Sequence, residues 1–407
     1  MAVPFKNPMI TYQKAQDIIR ALAKSFGHEE VALDDALGRV LTEAVGADRD
    51  YPPFNRAAMD GYAFHSRDWE KGLRDFIVQE VIYAGQSFTD NLKPGACYKI
   101  MTGAAVPPSA NAIIRREDAQ EEQGRVRLIA DAVKPYMNIA RKGEDIRKSE
   151  VIIPAQTLCN ASVTSSLAAV GKHKLLVEKL PKLALFTTGD EVMPIDAPVS
   201  EIQIRNSNQH LLKGLLNKWH IKPSLCKHIP DTKNDLTETL RQAMNLDMIV
   251  MCGGVSAGDA DYVPQVLEEL GVEKLFHKVA IKPGKPVFCG KLPGGGIVFA
   301  LPGNPFSCLV AFTLFIETYF YYCFGLQNQP VYHFPILKTR GKKHKLTEFF
   351  AARINQGTPG VTPISVNGSG DIRAGLAAHG LGVHPHDQEE LEQNTNIQFI
   401  PFMNSLI

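Results

Sequence analysis

The spacing of apolar positions changes character several times along this chain, and each change marks a section. Residues 8–26 place Ala15, Ile18, Ile19 and Leu22 on one helical face. Leu33–Leu37 predicts a short second helix ended by Gly38. From Phe76 to Val133 the apolar runs are short. FIVQEVIYAG, CYKIMTG, NAIIRRED and RVRLIADAV predict strands of a small β domain, with EEQGR as the hairpin turn between the last two. Tyr136–Val151 is polar and reads as a linker returning to the first helices, and Asn160 caps a helix Ser162–Val170 that Gly171 terminates.

At Pro181 the pattern becomes an alternation of strands and helices. Strands are predicted at Leu183–Thr187, Pro223–Ile229, Met248–Cys252, Phe276–Ile281, Pro286–Gly290 and Ile297–Leu301. Helices are predicted around Asn208–Trp219, Leu236–Ala243, Tyr262–Leu270 and Phe306–Leu326. This alternation gives a mostly parallel α/β sheet with helices on both faces. The last helix is long enough to span a membrane, but Glu317 interrupts it and Thr313, Glu317 and Tyr321 recur every four residues. It reads as a buried helix, with a subunit interface as one place for it. After Gln327 the chain is all-β, in HFPILKT, FFAARINQ, VTPISVN, GLGVHPHD and NIQFIPF.

The second half is organised around Asp247–Asp261, DMIVMCGGVSAGDAD. A buried strand runs into Gly253 and Gly254, whose freedom at φ > 0 allows a tight turn into the next helix. Such a turn offers free backbone N–H groups to an anion. Asp259 and Asp261 sit in it. They either cap the helix or hold a divalent cation between themselves and a phosphate. The stretch is neither a Walker A loop nor GxGxxG. Downstream, Lys282-Pro-Gly-Lys285-Pro and Leu301-Pro-Gly-Asn304-Pro adjoin apolar runs. Glu191, Asp231, Asp259, Asp261, Lys282 and Asn304 all fall just after strands, at the sheet edge where ligands bind in α/β folds.

Elsewhere, ADRDYPPFNRAAMDGYAF (residues 47–64) reads as an extended, charged loop in which Asp60 either opens a turn before Gly61 or serves a site. Thr102-Gly103 ends a strand, and Asp145 lies in the charged run RKGEDIRKSE. Arg353 and the glycine-flanked Ser369 are both able to donate to an oxyanion. His384 and His386 share a strand face, without a third metal ligand nearby in sequence.

Composition narrows the class. The 407 residues suit two to four domains. Lys+Arg number 44 and Asp+Glu 43, a net charge of +1 that gives no reason to expect nucleic acid or a charged membrane surface as partner. Seven scattered cysteines without a CxxC pair, and an N-terminus without a signal-like apolar run, suit free thiols in a reducing cytoplasm.

Taken in order, PPFNRAAMDGYA, IMTGAAVP, RKGEDI, TTGDE, CGGVSAGDADY, AIKPGKP and LPGNP resemble the motifs of the molybdopterin molybdenumtransferase family, MoeA, which includes the E domain of gephyrin. The resemblance implies a multidomain α/β and β fold: a discontinuous elongated domain (1–45 plus 141–179), a small β domain (46–140), an α/β molybdopterin-binding domain (180–327) and a C-terminal β-barrel-like domain (328–407). It implies the last step of molybdenum cofactor assembly, in which molybdate is inserted into adenylylated molybdopterin with Mg²⁺ and AMP is released. It also implies a homodimer, with each site between the α/β domain of one subunit and the small β domain of the other. Molybdopterin adenylyltransferase and molybdoenzyme-maturation proteins are its expected partners, with neither nucleic acid nor membrane. Carried over residue by residue, Asp60, Glu191, Asp231, Asp261, Lys278 and Lys282 fall at catalytic positions. Thr102, Asp145, Gly253, Gly254, Ser256, Lys285, Asn304, Arg353 and Ser369 fall at substrate-binding positions, and Glu191, Asp231, Asp259 and Asp261 at metal positions. No covalent nucleophile is indicated, so catalysis is expected from positioning and electrostatics. The chain departs from the family at Ala57, where serine is usual, and at Cys252, where Thr or Ser is usual; Ala257 stands at a variable position. The alternatives are an adenylyltransferase, which the α/β domain alone resembles, and a scaffold module of gephyrin E type. Against the scaffold stand the retained acids, with no linker or second domain expected ahead of this region.

Overall fold

The computed structural model describes residues 9–255, 261–326 and 328–402, so Ser256 and Asp259 lie outside the described residues. The chain divides into two compact units. One comprises Met1–Thr42, Gln156–Asn160 and Leu175–Ile407, the other Glu43–Ala155 and Ala161–Lys174.

The first unit is built on a six-stranded sheet. Its strands are β1 (Leu183–Thr188), β2 (Leu225–Ile229), β3 (Met248–Cys252), β4 (Glu273–His277), β5 (Phe288–Lys291) and β6 (Ile297–Leu301), in spatial order β2-β1-β3-β6-β5-β4. The pairings from β2 to β6 are parallel, and β5 and β4 add an antiparallel edge, so the sheet is mixed and mostly parallel. Every residue of β3 is buried. Helices cover both faces, which is why the strand needs a continuous apolar run and no alternation. On one face α1 (Ser207–Asn217) sends Leu212, Leu215 and Leu216 into a core shared with Ile19 of Tyr12–Leu22 and Phe312 and Phe315 of the long helix. On the other, α2 (Lys233–Arg241) and α3 (Val263–Glu269) bury Leu236, Leu240, Val263, Val266 and Leu267.

The long apolar helix Pro305–Cys323 has the length and composition to cross a membrane, yet 89% of it is buried within the protein. It is therefore a core helix, as the spacing of Thr313, Glu317 and Tyr321 suggests. One π-helical turn, Phe312–Glu317, interrupts it.

The expected single strand Phe276–Ile281 is in fact two. β4 ends at His277, Lys278 takes a left-handed φ of 78°, and Ile281–Lys282 pairs in parallel with Thr347–Glu348. The chain thereby leaves the α/β sheet and joins a C-terminal sheet of Ile281–Lys282, Thr347–Ile354, Gly380–His384, Asn396–Pro401 and Tyr332–Pro335, with Val361–Pro363 paired alongside. Lys278 is consequently not in the same strand as Lys282.

The second unit centres on another six-stranded sheet, ordered Ala112–Arg115, Gly61–Phe64, Ala96–Ile100, Asp75–Ile82, Arg125–Leu128, Ala119–Glu122. The hairpin turn in EEQGR is present, with positive φ at Gln123 and Gly124. Gly61–Phe64 corrects the loop expectation. It is an interior strand with all four residues buried. Gly61 is needed there for close approach and not for a turn, because a Cβ would lie 2.0 Å from the Ile114 carbonyl oxygen. The polar return segment is tied to this unit through Ile139–Ala140, paired with Arg56–Ala57, and through Ile146, bridged to Tyr51.

Candidate active site

The carboxyl ends of β1, β2, β3 and β6 open into a cavity of about 790 Å³. Its lining includes Glu191 after β1, Asp231 after β2, Gly253, Gly254 and Asp261 after β3, and Asn304 after β6. The edge on which sequence reasoning placed a site is thus the edge that is hollow. Both glycines are demanded by contact as well as by conformation. At φ 105° and 63°, Cβ atoms on Gly253 and Gly254 would fall 2.5 Å from the Thr188 carbonyl oxygen and 2.8 Å from Val263 Cγ2. α3 begins with Tyr262 at its N-cap and no side-chain cap, so Asp261 stands one residue ahead of the cap position.

The acids here are coupled. Asp231 accepts a hydrogen bond from the Thr188 hydroxyl, and its backbone N–H donates to Asp190 Oδ1 at 2.9 Å. Burial pushes the Asp231 carboxyl up, the Thr188 bond opposes this, and the charges of Asp190, Glu191 and Asp261 push it up further. A divalent cation relieves that repulsion, and an all-oxygen donor set suits a hard ion such as Mg²⁺. Among the described residues no three acid, histidine or cysteine side chains converge to enclose a metal by themselves. Mg²⁺ needs only one or two carboxylates, together with waters and substrate phosphate.

Behind the acids lies a hydrogen-bonded relay that the sequence reading did not single out. Asn206 caps α1 by accepting from Gln209 N–H at 3.1 Å, and its amide donates to Thr187 Oγ1 at 2.7 Å. Thr187 Oγ1 in turn meets His228 Nδ1 at 3.0 Å, and His228 Nε2 meets the Gly189 carbonyl at 3.1 Å. A carbonyl only accepts, so Nε2 carries a proton. Asn208 donates to the Gly303 carbonyl at 2.5 Å and to Cys252 Sγ at 3.2 Å, while its buried Oδ1 has no partner among the described residues. Cys252 therefore stays inside the hydrogen-bonded floor, as Asn208's acceptor and a donor to the Pro302 carbonyl at 3.3 Å. The sequence signal for this relay was the Asn-Ser-Asn run ahead of the apolar positions of α1.

A second cavity of about 970 Å³ adjoins the first, and Pro286, Pro302 and Asn304 line both. Its charge is opposite. Lys282, Lys285, Lys338 and Arg340 line it together with Glu348, Thr339, Ser365 and Ser369. Lys282 arrives by the strand pairing that sets it against Glu348. Asn304 Nδ2 donates to Ser369 Oγ at 2.7 Å, and the Ser369 carbonyl accepts from Phe306 N–H at 3.1 Å, which fixes the Ser369 loop on the start of the long helix. Lys278 and Arg353 line neither cavity. Arg353 is exposed on its strand and paired with Thr362, so the expected Arg353–Ser369 pair around one oxyanion does not form. Arg340 stands in this cavity, and sequence reasoning passed over it. His384 is fully buried and bonded to Arg340 with no metal-ligand partner set around it among the described residues.

In the second unit, Asp60 and Thr102 come together across 42 residues of sequence. Thr102 donates to Asp60 Oδ1 from its hydroxyl at 2.6 Å and from its backbone N–H at 2.7 Å. These bonds, the hydroxyl's first, hold the exposed Asp60 carboxyl below its ordinary value. Asp145 is exposed, and its backbone N–H donates to the Tyr51 carbonyl at 3.1 Å.

Three family profiles match the chain in order: the MoeA N-terminal region (domain I and II) over residues 10–171, the probable molybdopterin binding domain over 184–321, and the MoeA C-terminal region (domain IV) over 336–402. A relative from Synechocystis named molybdopterin molybdenumtransferase is 30% identical over 390 residues, covering 94% of this chain and 97% of its own. One of the same name from Bacillus subtilis is 33% identical over 297 residues, covering 71% and 69%. The crystal structure of a molybdopterin biosynthesis moeA protein from Pyrococcus horikoshii OT3 superposes with a TM-score of 0.82 at 28% identity, over 97% of this chain and 100% of that one. The chain belongs to the MoeA family of molybdopterin molybdenumtransferases, transferases of molybdenum cofactor biosynthesis.

Proposed function

We propose that this protein inserts molybdate into adenylylated molybdopterin with release of AMP, in a Mg²⁺-dependent reaction. The observation that carries this reading is the pair of adjoining cavities of opposite charge at one sheet edge. A pyrophosphate with its cation needs carboxylates, and a tetrahedral oxyanion needs fixed cations and hydroxyls. Adjoining sites bring the two substrates within reach of each other.

Glu191, Asp231 and Asp261, with Asp259, would hold Mg²⁺, which supplies charge neutralisation to the pyrophosphate. Gly253 and Gly254 let the backbone approach the phosphates, as their contacts leave no room for a Cβ. Lys282, Lys285 and Ser369 bind molybdate, and Asn304 orients Ser369 from the shared wall. The products are molybdenum cofactor and AMP, and no covalent intermediate with the protein is required. We further propose that the enzyme is a cytoplasmic homodimer, that Asp60, Thr102 and Asp145 serve the partner subunit's site, and that the chain divides into the four domains 1–45 with 141–179, 46–140, 180–327 and 328–407. The N-terminal and C-terminal family matches support that division. Sedimentation at twice the chain mass tests the dimer.

The reaction is tested by AMP release from adenylylated molybdopterin, with and without Mg²⁺ and molybdate, on wild type and Asp261→Asn. Molybdate-dependent release that the substitution abolishes is the expected result. No release from folded wild type would overturn the reading; unchanged release in the variant would overturn only the role of Asp261.

A further inference from the structure

We infer that Arg340 is the guanidinium that grips the tetrahedral oxyanion in the basic cavity, through its Nε/Nη2 edge. The inference rests on the reading of that cavity as the molybdate site and adds a residue to it.

A guanidinium offers five N–H donors in a fixed plane. Arg340 Nη2 donates to Glu348 Oε1 at 2.8 Å and Nη1 to Glu348 Oε2 at 3.3 Å, which uses the outer edge of the fork. Nη1 spends its other proton on His384 Nδ1 at 3.0 Å. The Phe350 ring, 4.3 Å from Cζ, supports one face of the plane. Three protein groups therefore lock the guanidinium, and among the described residues the protons left without a partner are Nε–H and the second one on Nη2. Those two are parallel and side by side, the pair that meets two oxygens of a tetrahedral anion at once. Arg340 lines the cavity, with its side chain 20% exposed.

The surroundings keep this arrangement in one state. His384 is fully buried, and burial, with the charges of Arg340 and Lys342, pushes it down to about 4. It is neutral at physiological pH, with Nδ1 free to accept. Burial pushes Glu348 up, but the Arg340 bonds together with the charges of Arg340, His344 and Lys282 outweigh this and leave its carboxyl below the ordinary value. Glu348 cancels one positive charge, and Lys282, Lys285 and Lys338 leave the lining with an excess suited to a dianion. Arg353, the arginine suggested by sequence, is on an exposed strand position outside the cavity.

The test is isothermal titration of sodium molybdate alone into wild type, Arg340→Ala, Arg340→Lys and Arg353→Ala at low ionic strength. We expect Arg340→Ala to raise the Kd at least about tenfold, Arg340→Lys to fall between, and Arg353→Ala to stay within about twofold. Because Arg340→Ala strands a half-buried Glu348, the double variant Arg340→Met with Glu348→Gln is titrated beside it, and thermal melts report folding. Wild-type affinity in Arg340→Ala or in the double variant, or a tenfold loss in Arg353→Ala, would overturn the inference while the oxyanion cavity stands. A wild type that binds no molybdate would overturn both.

Discussion

Two acids pushed up by burial, one partly and one fully enclosed, solve the same problem differently. Asp231 sits among Asp190, Glu191 and Asp261, and burial and those charges push its carboxyl up against the Thr188 bond, so a cation beside it would stabilise its charge. Glu317, 2% exposed in the π-helical turn, faces no comparable cluster. Gln329 Nε2 donates to it at 3.3 Å, and burial pushes it up to about 8 against the opposing influence of Lys218 and Trp219. It is neutral in the fold at neutral pH and ionised in the unfolded chain. A carboxyl raised in this way contributes stability that is full below its ordinary value near 4.5 and is lost as pH rises through about 8. The loss across that window is on the order of a few kcal/mol. Thermal melts at pH 5, 7 and 9 should show wild type losing more stability than Glu317→Gln, which has no proton to lose. Parallel curves for the two proteins would mean that Glu317 ionises in the fold as freely as in the unfolded chain.

At the scale of elements, the site is made by where strands stop. β2 stops at Ile229, Asp231 follows, and α2 is capped at once by Thr232, which accepts from Asp235 N–H at 3.1 Å. The cap fixes the backbone next to Asp231. Thr232→Ala should cost about 1 kcal/mol in a urea titration, and it should also raise the Mg²⁺ concentration needed for AMP release; an unchanged Mg²⁺ titration would separate the cap from the site. β3 was readable to the residue, because a parallel strand covered on both faces must be an unbroken apolar run, and Asp247 and the glycine pair bound it. Gly61–Phe64 was not readable. Prolines and charges precede it, and its partners, Ala96–Ile100 and Ala112–Arg115, lie more than 30 residues on, so no local period announces it. Distance also hid Arg340, whose His384 partner lies 44 residues on. The acids and lysines after the strands were visible as residue types at strand ends, whereas Arg340 acquires its meaning from Glu348 and His384, which only the C-terminal sheet assembles. Arg353 shows the converse: a suitable residue type in a strand that turns it to solvent.

At the scale of the molecule, an acidic and a basic cavity meet at a wall of Pro286, Pro302 and Asn304. Under the function proposed, the acidic side would attract a cation with its phosphate and the basic side an oxyanion. The acids come from the α/β sheet, and Lys282 from the strand that leaves it for the C-terminal sheet. The two binding events therefore rest on different elements and should be separable by mutation. A ligand at a hundredfold its Kd stabilises the fold by about 2.7 kcal/mol, enough to read as a thermal shift. Asp231→Asn should lose the shift given by Mg²⁺ and keep that given by molybdate, and Lys282→Ala should do the reverse. Asn304→Ala should weaken both, since Asn304 lines both cavities and holds Ser369. Loss of both shifts in either of the first two variants would mean that one site, not two, receives these ligands.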